Sequence, residues 1–403
     1  MKTIGIIAEF NPFHNGHKYL IEKSMQETGA DFCIVIMSGD FVQRGAPAIA
    51  DKFTRTRMAL QSGADLVLEL PVYYSLGSAE YFASGAVSIL DRLGVLDYLC
   101  FGSESGDISS LEKIATVLAN EPENFRSVLA AGLKAGKSFA AAREDALASE
   151  LDGESIRPIL QSPNNILAIE YIKALIKRNS SIRPFTIPRI GESFHSTALS
   201  DYASATAIRK VLAGNTEKEA VSASIPASAM KEFVEYSGHL LDSNDFSTLL
   251  NYRLICDKEN GYDKYLDVSG DLSNKLINSF TPGDTITCLC KKLKTKDLSY
   301  SRISRSLFHI LLGITDENMA QYKADDYTGY VRILGLKKDS SAVLSLIHDN
   351  SSLPVLDRLK DAEHLLNPLQ MRLLSETLSA GAVYNLLAQN GVTSEYSLRN
   401  IVI

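Results

Sequence analysis

Two histidines three residues apart sit in the stretch Glu9-Phe10-Asn11-Pro12-Phe13-His14-Asn15-Gly16-His17, directly after an apolar run. Pro12 and Gly16 shape a loop, and a helix is expected to begin at about the second histidine. At a helix N-terminus, unpaired backbone N–H groups and the helix dipole favour a phosphate. Two imidazoles at that point can face one ligand and donate hydrogen bonds to an α-phosphoryl group as its charge is redistributed. Gly16 lets the backbone approach closely. The blander alternative is two histidines that only cap a helix. A metal pair is disfavoured, because no third His, Cys or carboxylate has obvious ligand spacing.

Three further segments would share the rim of such a site. Gly102-Ser103-Glu104 follows the apolar run Tyr98–Phe101, and a glycine there can let an adenine or ribose lie against the backbone. Arg189-Ile190-Gly191 follows Arg183–Ile187. Ser38-Gly39-Asp40-Phe41-Val42-Gln43-Arg44-Gly45 follows Phe32–Met37. Its mix of acid, amide and arginine between glycines suits a small substrate, or equally a solvated loop. Gly132-Leu133-Lys134-Ala135-Gly136-Lys137-Ser138 imitates a P-loop, but its glycines are separated by three residues instead of four and no strand precedes it. No Gly-x-Gly-x-x-Gly follows the first apolar run, which argues against a dinucleotide fingerprint.

These residues need elements to position them. Ile4–Ala8, Phe32–Met37, Leu66–Leu70, Tyr98–Phe101 and Arg183–Ile187 read as short strands flanked by turn residues. Helical patterns lie between them at His17–Thr28, Lys52–Ser62, Ser78–Leu93, Ser109–Ala119 and Asn165–Lys177. Such alternation predicts an α/β fold, a parallel sheet with helices on both faces and ligands beyond the carboxyl ends of its strands. After about Gly214 the pattern turns mainly α-helical, with Ala229–Tyr236, Phe246–Leu254, Ser299–Leu312 and Asp357–Glu363 as helices and Tyr330–Leu336 as one strand. The polar stretch Gly214–Lys218 divides the chain into expected domains 1–214 and 215–403. From Thr281 to Arg305 the second part carries Lys291, Lys292, Lys294, Lys296, Arg302 and Arg305 against Asp284 and Asp297, a local charge of +4. With Tyr300 alongside, the stretch could track an RNA backbone and stack a base, or it could be a solvated helix face.

Composition bounds the reading. The chain has 403 residues, 45% hydrophobic and 22% charged, with a formal charge of −7. Wholesale disorder is excluded, and so is a globally basic nucleic-acid binder, though a local basic patch is not. The five cysteines are scattered and read mainly as buried thiols rather than disulfides or metal ligands. The N-terminus reads as a strand and not a signal peptide, and no later apolar run reaches the length of a membrane span. A cytoplasmic protein with no membrane contact is expected.

His-x-Gly-His after a first strand resembles the signature of the nucleotidyltransferase superfamily, which binds ATP and attacks its α-phosphorus. Its second motif, Ser-Ser/Thr-x-x-Arg, is matched by Ser204-Ala205-Thr206-Ala207-Ile208-Arg209, with Ala205 replacing the commoner hydroxyl. Taken alone, that segment could be an N-capped surface helix with a solvated arginine. The ordered set of motifs resembles one family along essentially the whole chain, the bacterial tRNA(Met) cytidine acetate ligases. Besides the stretches above, it includes Gly63-Ala-Asp-Leu-Val-Leu-Glu-Leu-Pro71, Ser162-Pro-Asn-Asn-Ile-Leu167, Leu293-Lys-Thr-Lys296 and Tyr300-Ser-Arg302.

The resemblance implies a Rossmann-like nucleotidyltransferase domain with a parallel sheet, followed by a mainly helical domain that binds tRNA. It implies a ligase that joins acetate to ATP as acetyl-AMP, releases diphosphate, and acetylates N4 of the wobble cytidine 34 of elongator tRNA(Met). ATP contacts carry over to Ile7, Ala8, Glu9, Phe10, Asn11, Pro12, Phe13, His14, Asn15, Gly16, His17, Lys18, Tyr19 and Leu20. They also carry over to Gly102, Arg189, Ile190 and Asn165, the last with Asn164 adjoining it. His14 and His17 would bind the α-phosphate, while Ser204, Thr206 and Arg209 hold the β/γ end. Mg²⁺ would accompany ATP through its phosphate oxygens without a dedicated protein metal site. The competing readings are a small-molecule adenylyltransferase making a nucleotide cofactor, and a non-catalytic ATP-sensing RNA-binding protein.

Overall fold

The first strand, β1 (Thr3–Ala8), is covered on both faces: Ile4 and Ile6 enter one apolar core, Ile7 the other. Continuous apolar runs of this kind suit a parallel sheet with helices on either side. The computed structural model describes residues 1–190, 200–214 and 217–403. Nine more strands follow, β2 (Phe32–Ser38), β3 (Phe41–Val42), β4 (Ala46–Pro47), β5 (Leu66–Leu70), β6 (Tyr98–Ser103), β7 (Arg183–Pro188), β8 (Val331–Leu336), β9 (Val355–Leu356) and β10 (Ile401–Val402).

The main sheet runs β10-β8-β5-β2-β1-β6-β7, with β9 beside β8, while β3 and β4 form a separate hairpin. From β5 to β7 every pairing is parallel, in registers such as Ile6↔Val35 and Ile6↔Cys100. The chain moves outward from β1 to β2 and β5, then returns to β6 and β7 on the other side. The strand order therefore reverses between β1 and β6, and a crevice opens beyond their carboxyl ends.

Helix starts carry the expected caps. Asp51 accepts from the Thr54 N–H at the head of Lys52–Gln61, and Ser78 accepts from Tyr81 at the head of Ala79–Arg92. The Asn15–Thr28 helix begins two residues before the position expected from sequence, because His14 is its N-cap. Gly132 lies inside the Glu123–Lys134 helix and Ser138 caps Phe139–Ala148, so the P-loop lookalike is a helix–helix connection. In place of the expected Asp357–Glu363 helix stand a 3₁₀ turn, Leu359–Asp361, and a single turn, Ala362–Leu365. Sequence periodicity missed the Pro368–Ala388 helix, whose buried residues Leu373, Leu374, Thr377 and Tyr384 leave no simple polar face.

The strand expected at Tyr330–Leu336 is β8, and it pairs antiparallel with β5. Residues before and after 215 thus share one sheet, and they share one apolar core from Ile7 to Tyr384. Positions 215–216 at the expected boundary lie outside the described residues. Buried ions join the same elements: Lys52 Nζ lies 2.6 Å from Glu69 and 2.8 Å from Glu395, and Arg332 bridges those two carboxylates from the other side. Cys33, Cys100 and Cys290 are buried as expected, whereas Cys256 is exposed and Cys288 half-buried. Among the described residues no helix is long and apolar enough to cross a membrane.

Candidate active site

At the end of β1 the chain turns through Phe10, which takes a left-handed backbone with φ 48°. For a bulky side chain that conformation costs on the order of 1–3 kcal/mol, which the surrounding packing must offset. The turn drives Phe10 and Phe13 into the core, where their rings pack 4.7 Å apart beneath His17. Asn11 is buried as well, its Oδ1 accepting from the Ile49 N–H at 2.8 Å. Asn15 Nδ2 donates to the carbonyls of Asp201 and Ala223. These residues hold the loop's shape.

The two histidines close a reciprocal cap. His14 Nδ1 accepts from the Gly16 N–H at 3.1 Å, and His17 Nδ1 accepts from the His14 N–H at 3.2 Å. A Cβ on Gly16 would sit 2.9 Å from His14 Cε1, so the glycine is required by the ring folding back over it. Capping and ligand presentation are thus the same act. With each Nδ1 used as an acceptor, the proton of the neutral ring sits on Nε2. The rings stack with centroids 3.7 Å apart. Burial, then the charges of Arg189 and Arg209, push His14 down to about 3; burial, His14 and Arg189 push His17 well below its ordinary value. Both are neutral donors at physiological pH.

Two adjoining cavities open over these rings. The larger, about 400 Å³, is lined by Ile7, Ala8, Glu9, His14, His17, Leu20, Gly102 and Arg189. The smaller adds Gly16, Tyr19, Ile190 and Tyr202. Gly102 pairs with Ile187 across β6–β7, and a Cβ on it would meet the Cγ of Arg189, just past β7, at 3.3 Å. Ser204 is the buried cap of the Ala205–Gly214 helix, accepting from the Ala207 N–H, and it lines the larger cavity. Arg209 donates to the Asn11 carbonyl at 2.6 Å and to Thr206 Oγ1 at 3.3 Å, so the second motif fastens the first.

Some expected residues lie elsewhere. Lys18 pairs along its helix with Glu22. Asn165 is buried and its side chain is spent on the Glu104 and Ser105 N–H groups and the Ile159 carbonyl, whereas Asn164 lines the cavity. Thr206 and Arg209 line neither cavity. Gly191 lies outside the described residues.

Sequence reasoning missed the apolar wall Phe82, Phe101, Leu167 and Tyr171, and it missed Ser301. Ser301 comes from the Tyr300–Leu312 helix of the basic stretch. The Gly45 carbonyl accepts from Ser304 Oγ at 2.6 Å and docks that helix against the β3–β4 loop. Within the basic stretch, Lys292 pairs with Asp284 and Arg305 with Asp267. Lys291, Lys294, Lys296 and Tyr300 are exposed, and Arg302 is half-buried.

A switch-point crevice with a paired-histidine helix cap defines a nucleotidyltransferase architecture, and the family comparison agrees. The HIGH Nucleotidyl Transferase model matches residues 1–398, and the chain belongs to that family. Its relatives carry one particular name, tRNA(Met) cytidine acetate ligase. The protein of that name from Caldanaerobacter subterraneus subsp. tengcongensis is 40% identical over 410 residues, covering 100% of both chains. That from Acetivibrio thermocellus is 37% identical over 399 residues, covering 97% of this chain and 96% of the relative. Thermotoga maritima TmcAL superposes with a TM-score of 0.93 at 29% identity, covering 100% of both chains. Its complex with alpha-thio ATP superposes at 0.91 with 28% identity, covering 100% of this chain and 99% of that one.

Proposed function

We propose that this chain is an ATP-dependent ligase that makes acetyl-AMP from acetate and ATP and transfers the acetyl group to N4 of cytidine 34 in elongator tRNA(Met). The observation that carries the reading is the pair of neutral imidazoles, each with Nδ1 tied into the helix cap and Nε2–H left for the cavity. Relatives of that name cover the whole chain, and one solved neighbour is a complex with alpha-thio ATP.

Acetate is already an anion and needs no base. Its oxygen attacks the α-phosphorus, and diphosphate leaves from the opposite side. Two Nε2–H donors stabilise the charge that gathers on the α-phosphoryl oxygens, and alignment supplies much of the remainder. The β- and γ-phosphates would lie toward Ser204, the first-turn N–H groups of its helix and Arg209. Gly102, Arg189 and Ile190 would flank the nucleoside, with Asn164 in place of its buried neighbour Asn165. Mg²⁺ would enter on ATP's phosphate oxygens, since one carboxylate in the cleft makes no ligand set.

The tRNA would approach over Lys291, Lys294, Lys296 and Tyr300, toward the cavity edge marked by Ser301. Functionally, residues 1–214 would handle ATP and 215–403 the tRNA. The test is diphosphate release from purified protein with ATP plus acetate, with and without tRNA. Formation of acetyl-AMP without RNA is the expected result. AMP transfer to another metabolite without use of acetate would favour a small-molecule adenylyltransferase.

A further inference from the structure

Glu9 is the one acidic side chain that lines the larger cavity among the described residues. Both substrates of the first half-reaction are anions, and a carboxylate about 4 Å from either repels it by about 4 kcal/mol in a surface-like dielectric. Glu9 offsets part of the charge of Arg44, Arg55 and Arg209, but it attracts neither anionic substrate. The transfer step differs, because its acceptor is an exocyclic amine whose N–H protons must leave.

Resting on the ligase reading above, we infer that Glu9 is the general base of acetyl transfer. Its Oε1 is fixed by the Gln43 N–H at 2.9 Å, and its own carbonyl accepts from Arg55 Nη1 at 2.7 Å, so the side chain is held from both ends. Its Oε2 has no hydrogen-bond partner among the described residues. The histidines cannot serve, since their Nδ1 atoms accept cap bonds and their Nε2 atoms carry protons. Ser301 lines the same cavity from the basic helix, so an acceptor entering past it shares that cavity with Glu9. In the step, the N4 lone pair forms a C–N bond to the acetyl carbonyl carbon. The C–O bond to AMP then breaks, AMP departs with that electron pair, and the N4 proton moves to Glu9 Oε2.

The test is single-turnover acetylation of elongator tRNA(Met) transcript by the full chain, supplied with chemically prepared acetyl-AMP at saturating concentration. Glu9→Gln keeps the Oε1 acceptor and should transfer at least about 10²-fold more slowly than the wild type. Glu9→Ala should regain rate with added formate, an external carboxylate, which a merely structural role would not produce. Transfer by Glu9→Gln at the wild-type rate would overturn the inference. So would a defect that vanishes once acetyl-AMP is saturating, because Glu9 would then be a nucleotide contact. Failure of the wild type to acetylate tRNA from acetyl-AMP would instead defeat the ligase reading itself.

Discussion

At the scale of single residues, the histidine pair shows how one geometry sets both protonation and chemistry. A folded chain that keeps His14 neutral down to about pH 3, against an ordinary value of 6.5, binds fewer protons than the unfolded chain between those values. Stability is therefore complete above pH 6.5 and falls as the pH drops toward 3. From pH 6.5 to 5 the loss from His14 alone is about 2 kcal/mol. Urea unfolding at pH 7.5 and 5.0, repeated with His14→Gln, should show the variant losing much of that dependence. Nitrogen NMR of the nucleotide-free protein should find both rings as Nε2–H tautomers that do not titrate near 6.5. His17→Ala and Arg209→Ala should each lower acetyl-AMP formation by about 10²–10³-fold while circular dichroism stays native. Near-wild-type turnover in a folded variant would remove that residue from the mechanism. Arg209 has a second load, because its loss also frees the Asn11 carbonyl.

At the scale of elements, the β3–β4 loop and the Tyr300–Leu312 helix act as one piece. Gly45 takes φ 77°, and a Cβ on it would lie 2.3 Å from the Arg305 backbone nitrogen. That neighbour is main chain and not the end of a flexible side chain, so backbone must move. Gly45→Ala should therefore cost more than about 1 kcal/mol and separate the helix from the cavity edge, lowering tRNA acetylation. Thermal unfolding and acetylation measured on one preparation check both effects. Ser304→Ala removes only the hydroxyl donor to Gly45 and should give a milder version of the same loss.

At the scale of the whole molecule, an acidic chain carries one short exposed basic run, which is the proposed tRNA contact. Lys294→Ala with Lys296→Ala should weaken tRNA binding and make it less salt-dependent, the log–log slope falling by roughly 0.7–0.9 for each phosphate no longer neutralised. An unchanged slope would make these lysines a solvated face. Arg305→Ala tests something else, since it strips the partner from Asp267 and should lower stability. The buried ion network spans the sheet from Lys52 through Glu69 to Arg332 and Glu395. Lys52→Ala would strand buried carboxylates and should destabilise by about 3–5 kcal/mol, read as a lower thermal midpoint. Truncation before Glu395 should do likewise, removing one of those carboxylates together with β10.

The local sequence determined β1, β2, β5, β6 and β7 but not the β3–β4 hairpin, together with the histidine loop after β1 and the helix of the basic stretch. Apolar period, turn residues and caps act over a few neighbours, and a chain carries them in order. Tertiary structure alone decided where β8 pairs, that Asn165 is spent on the Glu104 turn while Asn164 meets the cavity, and that Ser301 reaches the cavity over the two histidines. It also decided that Lys292 pairs with Asp284 and Arg305 with Asp267, while Lys291, Lys294 and Lys296 stay exposed. All but the Lys292–Asp284 pair, eight positions apart, depend on contacts between residues tens to hundreds of positions apart. Such contacts are fixed by which faces pack once the sheet forms, and charge or spacing along the chain does not encode them.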